Sequence, residues 1–377
     1  MSAWPGKFVI GLTGNIATGK SVVRKMLEHQ GAYGIDADTL GHRVIALDAP
    51  GYQSVVDMFG KWLLGPDDQI DRSRLARLVF ADPQALEKLE EIVHPLVRQA
   101  VDVLIRRATQ KVIVIEAIKL LESPLHETCD TIIVTYAAPE IQLDRLMKKR
   151  GMSEDAAYQR IAIQPPQESK IAAANYVIRN GGTFEGTWRQ VLTVWKKLFP
   201  TAEPEVALPE TIARGEMVVE RARPRQAGEI ASFITKMTGR QRTLSFEDVM
   251  AAFGEKAFLL LKMDRRLVGL VGWQVENLVA RTDDVYLDPS LPLLKAMQRV
   301  MEEVERTSRD LQCEASLLFL PPHLARHIEM WRELGYEPRT VQSLGVRAWQ
   351  EAAQESMPLG SILLFKQLRK DRVLRPV

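Results

Sequence analysis

The sequence predicts an α/β fold built on a parallel sheet, followed by a smaller α+β domain, and three observations carry that expectation. The apolar run Phe8-Val-Ile-Gly-Leu leads into Gly14-Asn-Ile-Ala-Thr-Gly-Lys-Ser21 and then into the helix-compatible stretch Val22-Val-Arg-Lys-Met-Leu-Glu. Buried-type strands at 8–12, 112–115 and 131–135 alternate with helical stretches, the pattern of a parallel sheet covered by helices. Between Phe199 and Arg214, Pro200, Pro204 and Pro209 are spaced so that neither a helix nor a ladder can run through. Domains are therefore expected at 1–199 and 215–377, joined by a Pro-rich linker at 200–214. Each side carries enough apolar residues for its own core, so the first is expected to fold alone.

The glycine-bearing string is the first element with chemistry in it. Gly14 and Gly19 let the backbone turn tightly, so that the N–H groups of Asn15, Ile16, Ala17, Thr18, Lys20, Ser21 and Val22 can converge on one anion at a helix start. Lys20 is then placed for the β- and γ-phosphates of ATP, and the Ser21 hydroxyl for Mg²⁺. About one helix length later comes Tyr33-Gly-Ile-Asp-Ala-Asp. Two carboxylates two apart at a strand end point to one side. Asp36 and Asp38 suit a base for an attacking hydroxyl and a partner holding the metal through water. An acidic turn with one Asp capping a helix at 39–47 fits the spacing equally well.

Residues 73–107 read as mostly helical, with interruptions at Asp82-Pro83 and His94-Pro95. His94 and Arg98 lie one helical turn apart, able to face a single anion or ribose; a histidine packed at a helix start is the plainer reading. Glu116 ends the third strand, where a metal-associated acid or a packing role is expected. The stretch 141–171 reads as a helical lid.

Composition narrows the partners. The chain has 377 residues, is 46% hydrophobic, and carries Lys plus Arg 50 against Asp plus Glu 48, which gives no basic field for nucleic acid. Cys129 and Cys313 stand far apart without metal-ligand spacing, so a reducing compartment and two buried thiols are expected. No apolar run is long enough to span a bilayer and the start has no charged leader, so a cytoplasmic protein with small-molecule substrates and no membrane partner is expected.

Together these residues resemble the dephospho-coenzyme A kinase family over about residues 7–198. The resemblance rests on V-I-G-L-T-G-N-I-A-T-G-K-S, on Ile35-Asp-Ala-Asp38, on His94-Pro-Leu96, and on Leu120-Leu-Glu122. It continues through Gln142-Leu-Asp-Arg-Leu146, Arg150, Arg160, Gln164 and Ala174-Asn-Tyr-Val-Ile-Arg-Asn180. It implies transfer of the ATP γ-phosphoryl group, with Mg²⁺, to the ribose 3′-hydroxyl of dephospho-CoA. In it Asp38 is the base, Lys20 the γ-phosphate ligand, and Arg145 and Arg150 belong to a lid over ATP. It further implies that Asp36, His94, Arg98, Leu120 and Glu122 line the acceptor site. The chain departs from the family pattern at Asn15 and Ala17, where glycine is usual, at Ile118-Lys-Leu-Leu121, where a proline-led P-L-L is usual, and at Asn175 in place of Asp. Ala17 or Asn15 would have to hold φ below zero or a strained left-handed turn, which Asn tolerates better.

The second domain resembles the GCN5-related acetyltransferase fold over about 216–345. A hairpin turned at Asp264-Arg265, a strand near 280–287, a helix at 291–310 and a strand at 315–320 carry that resemblance. The place of its pyrophosphate loop reads Leu287-Asp-Pro-Ser-Leu-Pro-Leu, with no glycine and no arginine. Pro289 and Pro292 have no N–H to offer and Asp288 repels an anion. The expectation is a degenerate acetyltransferase serving as an interaction or regulatory module, the alternative an active one that uses its neighbour's product. His323 and His327, four apart on an expected helix, read as a solvated face rather than a metal pair. For the whole chain, the rivals are another P-loop small-molecule kinase, of nucleoside or shikimate type, and a nucleotide-binding switch.

Overall fold

The computed structural model describes residues 3–200 and 215–370, so of the expected linker only Pro200 falls within the described residues. The first half runs β1 (Phe8–Thr13), α1 (Lys20–His29), β2 (Tyr33–Asp36), α2 (Ala37–Arg43), α3 (Tyr52–Phe59), α4 (Arg72–Ala81), α5 (Pro83–Arg107) and β3 (Val112–Glu116). It continues with β4 (Thr131–Tyr136), α6 (Pro139–Arg150), α7 (Glu154–Ala162), α8 (Gln167–Ala172), β5 (Tyr176–Arg179) and α9 (Phe184–Leu198). The strands order as β2-β3-β1-β4-β5, and β1 pairs in parallel with both β3 and β4, as β2 does with β3. Val9, Ile10 and Leu12 of β1 and Ile113, Val114 and Ile115 of β3 are fully buried, as a strand covered on both faces requires. Register sets Leu12 and Asp36 level with Glu116, so the functional end of this sheet is its C-terminal edge.

Two local expectations change. Helix α5 runs unbroken through Pro95. A proline inside a helix loses one i→i−4 bond, but Val97, Ala100, Val101, Leu104 and Ile105 are buried on one side of it and Ala85 on the other. Helix α2 starts at Ala37 rather than Thr39, because Asp36 caps it by accepting the Thr39 N–H at 2.9 Å. The Asp-to-Asn departure at Asn175 keeps its acceptor: Asn175 Oδ1 takes the Ile132 N–H at 2.7 Å while its own N–H donates to Ile132 O at 2.9 Å.

The second half adds β6 (Met217–Arg221), α10 (Ala227–Met237), α11 (Phe246–Ala252), β7 (Ala257–Met263), β8 (Arg266–Glu276), β9 (Val279–Leu287) and α12 (Leu293–Asp310). After these come β10 (Ala315–Leu320), α13 (Pro322–Ala325), α14 (Ile328–Glu333), β11 (Glu337–Pro338), α15 (Arg347–Ser356) and β12 (Ile362–Gln367). Its sheet orders as β11-β12-β10-β9-β8-β7-β6, antiparallel except for the β9–β10 pair that α12 connects. Asp264 and Arg265 sit at φ 49° and 66°, and Asn277 and Leu278 at 54° and 61°. Both two-residue turns are thus of the left-handed kind that matches strand twist. The first was legible as a hairpin. The second was not, because Leu278 holds a position that glycine normally marks.

Contacts divide the chain into two compact units that do not follow its order. One holds residues up to Lys20 with Tyr33–Val177; the other holds Ser21–Ala32 with Ile178–Lys370. Within the second unit, α1 and α9 pack with the later elements. Lys25 Nζ donates to Val275 O at 2.8 Å, His29 Nε2 lies 2.8 Å from Phe253 O, and the His29 ring meets Trp188 and Phe253 edge-on. Cys313 is buried and Cys129 partly so, both unoxidised. Among the described residues no helix is long and apolar enough to cross a membrane.

Candidate active site

The loop after β1 is shaped by close approach. A Cβ on Gly14 would stand 2.4 Å from Thr135 Oγ1 and 2.5 Å from Thr135 O, so no other residue fits, and its φ of 149° lies in glycine's region. Thr18 Oγ1 lies 2.7 Å from Thr135 Oγ1 and donates to Asn15 O at 2.8 Å, tying the loop to β4. Gly19 takes φ 91°. Of the two departures from glycine, it is Ala17 that adopts a left-handed turn, at φ 58°, a strain of about 1 kcal/mol. Asn15 is not among the described residues with positive φ.

What holds Ala17 there is the helical segment 139–172. Ile16, Leu146 and Ala157 form a small core with Ala17, Leu143, Met152 and Ile161 packed against it. Arg145 Nη1 donates to Ala17 O at 3.0 Å, Asn15 Nδ2 to Pro165 O at 2.8 Å, and the Ile16 N–H to Gln164 Oε1 at 2.7 Å. The segment expected as a lid therefore touches the phosphate loop directly, and Arg145 reaches it. Arg150, the last residue of α6, is exposed.

Lys20 is buried, with Nζ 3.3 Å from Asn15 O. Burial pushes its ammonium below the usual lysine range, and Glu116, Asp38 and Asp36 act against that shift. Those three carboxylates all face Lys20 from the sheet's C-terminal edge. Glu116 is 4% exposed, ending β3 level with Asp36. Asp38 stands in the first turn of α2 rather than on a strand, so helix geometry, not strand alternation, brings it beside Asp36. Its Oδ2 accepts the Ile118 N–H at 2.9 Å. Desolvation of the carboxyl raises Asp38 to about 6, although the residue as a whole is exposed; the Ile118 N–H opposes this and Asp36 adds to it.

The remaining candidates spread more widely. Ser21 is exposed at the start of α1 and Val22 half-buried. His94 is half-buried and Arg98 exposed on α5. Glu122 is exposed and acts on the Lys170 ammonium. Leu120 is fully buried, and its side chain would stand 2.7 Å from a Cβ on Gly11, so it packs behind β1. Two residues that the sequence reading left out stand in the site. Gln164 was visible only as one residue of the resemblance, and Lys170, 3% exposed on α8, carried no motif at all.

In the second unit, β9 and β10 pair only from Val279 and Ala315 to Thr282 and Leu318. Beyond that point the strands part around a cleft of about 940 Å³, lined among others by Lys256, Asp283, Asp284, Tyr286, Phe319 and His323. Asp284 accepts from Arg242 at 2.7 Å and from Lys256 at 3.1 Å, and Lys256 also bonds Asp283 at 2.5 Å. Helix α12 has Pro292 at its N-cap without a side-chain bond, and Asp288 takes the Ser290 N–H and hydroxyl. His323 lies in α13 whereas His327 caps α14, so the two share no helix.

A glycine loop at a strand end, a buried lysine behind it, and carboxylates on the neighbouring strand ends define a P-loop phosphotransferase. The dephospho-CoA kinase family model matches residues 8–185. The dephospho-CoA kinase of Geobacter sulfurreducens is 40% identical over 195 residues, covering 51% of this chain and 99% of that protein. That of Streptomyces avermitilis is 42% identical over 190 residues, covering 50% and 93%. Through its first half the chain belongs to the dephospho-CoA kinase family. The second half is similar to a GNAT-family acetyltransferase from Staphylococcus aureus, 12% identical, with a TM-score of 0.34 over 41% of this chain and 100% of that one.

Proposed function

We infer that residues 1–199 transfer the γ-phosphoryl group of ATP to the ribose 3′-hydroxyl of dephospho-CoA, giving coenzyme A and ADP. The observation that carries this reading is a buried Lys20 within the electrostatic reach of an Asp38 carboxylate that a backbone N–H holds in the first turn of α2. The 3′-oxygen forms a bond to the γ-phosphorus as the bond to the β,γ-bridging oxygen breaks, and Asp38 accepts the hydroxyl proton. Lys20 and Arg145 offset the charge that spreads over the transferring group. The helical segment that contacts Asn15, Ile16 and Ala17 excludes water, which suppresses plain ATP hydrolysis.

The Asp36 and Glu116 carboxylates would offer Mg²⁺ the hard oxygens this ion prefers, and the family pattern adds the Ser21 hydroxyl. When bound, it neutralises β- and γ-phosphate charge. His94, Arg98 and Glu122 are assigned to the acceptor and Arg150 to ATP on the strength of the family pattern. A coupled ADP-release assay tests the reading with dephospho-CoA against nucleosides and shikimate. Purified, folded protein that binds ATP yet leaves dephospho-CoA unchanged rejects it. The small count of separated cysteines and the metabolic family support a cytoplasmic reading.

For residues 215–377 we keep the acetyltransferase-like reading in its degenerate form, as an interaction or regulatory module. The parted β9–β10 pair supports the fold, and the proline-bearing entry to α12 supports the loss of a pyrophosphate site.

A further inference from the structure

Ile118, two residues past β3, has both backbone polar groups engaged. Its N–H donates to Asp38 Oδ2 at 2.9 Å, and its carbonyl accepts from Thr13 Oγ1 at 3.1 Å and from the Lys170 ammonium. Lys170 is 3% exposed, and it belongs to a helix of six residues. Lysine is a strongly hydrated point charge, and burying it is costly unless it is paired. A Leu or Met would fill the same volume on α8 without that cost, so anchoring the helix does not call for an ammonium. The charges around it are those of the site: Asp38 and Glu122 attract Lys170, and Lys20 and Lys170 repel each other. The ammonium therefore sits within the field of the reacting groups while its hydrogen bond is spent on one carbonyl.

That carbonyl belongs to the residue that orients Asp38. We propose that Lys170 is a positioning residue for phosphoryl transfer: it fixes the Ile118 backbone, and through the Ile118 N–H it aims the Asp38 carboxylate at the acceptor hydroxyl. Thr13 holds the same carbonyl from the sheet, so the base is not loose without Lys170. It is fully aligned only when α8, at the end of the helical segment that meets the phosphate loop, is seated. Seating that segment and aligning the base become one event, which keeps the base idle while water has access to the nucleotide.

The proposal rests on the kinase reading and on Asp38 as base, and a kinetic cycle on the full chain tests it. Lys170→Met should lower kcat roughly 10- to 100-fold while leaving KM for ATP and dephospho-CoA within about threefold, and Lys170→Arg should recover most of the loss. In an Asp38→Asn background, followed by single-turnover chromatography, Lys170→Met should cost less than about threefold more, since the group it acts through is already disabled. Full multiplication of the two losses would mean that Lys170 acts on the phosphoryl group directly and overturns the proposal. So would an unchanged kcat, or a loss confined to KM for ATP. If Lys170→Met does not fold, Lys170→Gln takes its place in the same cycle with Asp38→Asn. Wild-type protein inactive on dephospho-CoA fails the substrate reading. Active wild type with an indifferent Lys170→Met fails this inference alone.

Discussion

Asp38 shows what one carboxylate needs in order to act as a base. Its carboxyl is raised to about 6, chiefly by desolvation, and only the ionised form accepts a proton. In the free enzyme kcat/KM should therefore fall about tenfold per pH unit below 6 and level off above it; a profile flat down to pH 4.5 rejects Asp38 as the base. Lys20→Ala should lower kcat by about two orders of magnitude or more, because it removes a charge aimed at the transferring group, and ADP release measures it. At this scale the sequence was legible where motif and chemistry coincide, as at Gly14, Lys20 and Asp38. It was silent on Lys170, because a lysine among helix-forming residues carries no sign of burial until α8 is folded against the site.

Among the elements, the parallel strands and the hairpin at Asp264-Arg265 follow from apolar runs and turn chemistry. The unbroken α5 does not, because local proline preference was outweighed by the apolar face buried on either side of Pro95. The start of α12 gives a prediction of its own. Acetyl-CoA binding at a helix start depends on N–H groups converging on a pyrophosphate, and Pro289 and Pro292 have none. Two or three missing charge-assisted bonds, at roughly 1.5–3 kcal/mol each, should weaken binding by several orders of magnitude. Calorimetry on the full chain with its acceptor site saturated by dephospho-CoA should show no micromolar acetyl-CoA site; one abolished by substitutions lining the 940 Å³ cleft would restore an active acetyltransferase.

At the scale of the whole molecule, the compact units do not follow chain order. A proline-rich stretch predicts separable halves, yet α1 and α9 share a compact unit with the later sheet. Nothing in the local pattern of Val22–Glu28 marks the face that Phe253 and Val275 cover, since an amphipathic helix does not say what it packs against. A fragment of residues 1–200 would leave His29 without Phe253 and Phe184 without the buried cluster it packs on, so it should melt at least about 5 °C below the full chain or fail to stay soluble. Equal melting temperatures would restore the independent domain. His29 adds a pH signature. Burial lowers its imidazole from 6.5 to about 3, so the unfolded chain takes up a proton that the folded one refuses. Stability is thus fully present above pH 6.5 and is lost as pH falls toward 3, by up to roughly 5 kcal/mol. Denaturant unfolding at pH 7.5 and pH 5 should show a smaller difference in His29→Gln than in the wild type; an identical difference rejects the assignment.

The bond between His29 and the Phe253 carbonyl spans 224 residues of chain. At a ribosomal pace of about 5–20 residues per second, the helix that carries the phosphate loop waits roughly 11–45 s for its cover to be made. The two tight hairpins between β7 and β9, by contrast, can close within microseconds of emerging. The nascent chain thus spends most of its synthesis with a catalytic loop already encoded and one flank of its helix bare, which is the interval in which a chaperone or a protease would meet it.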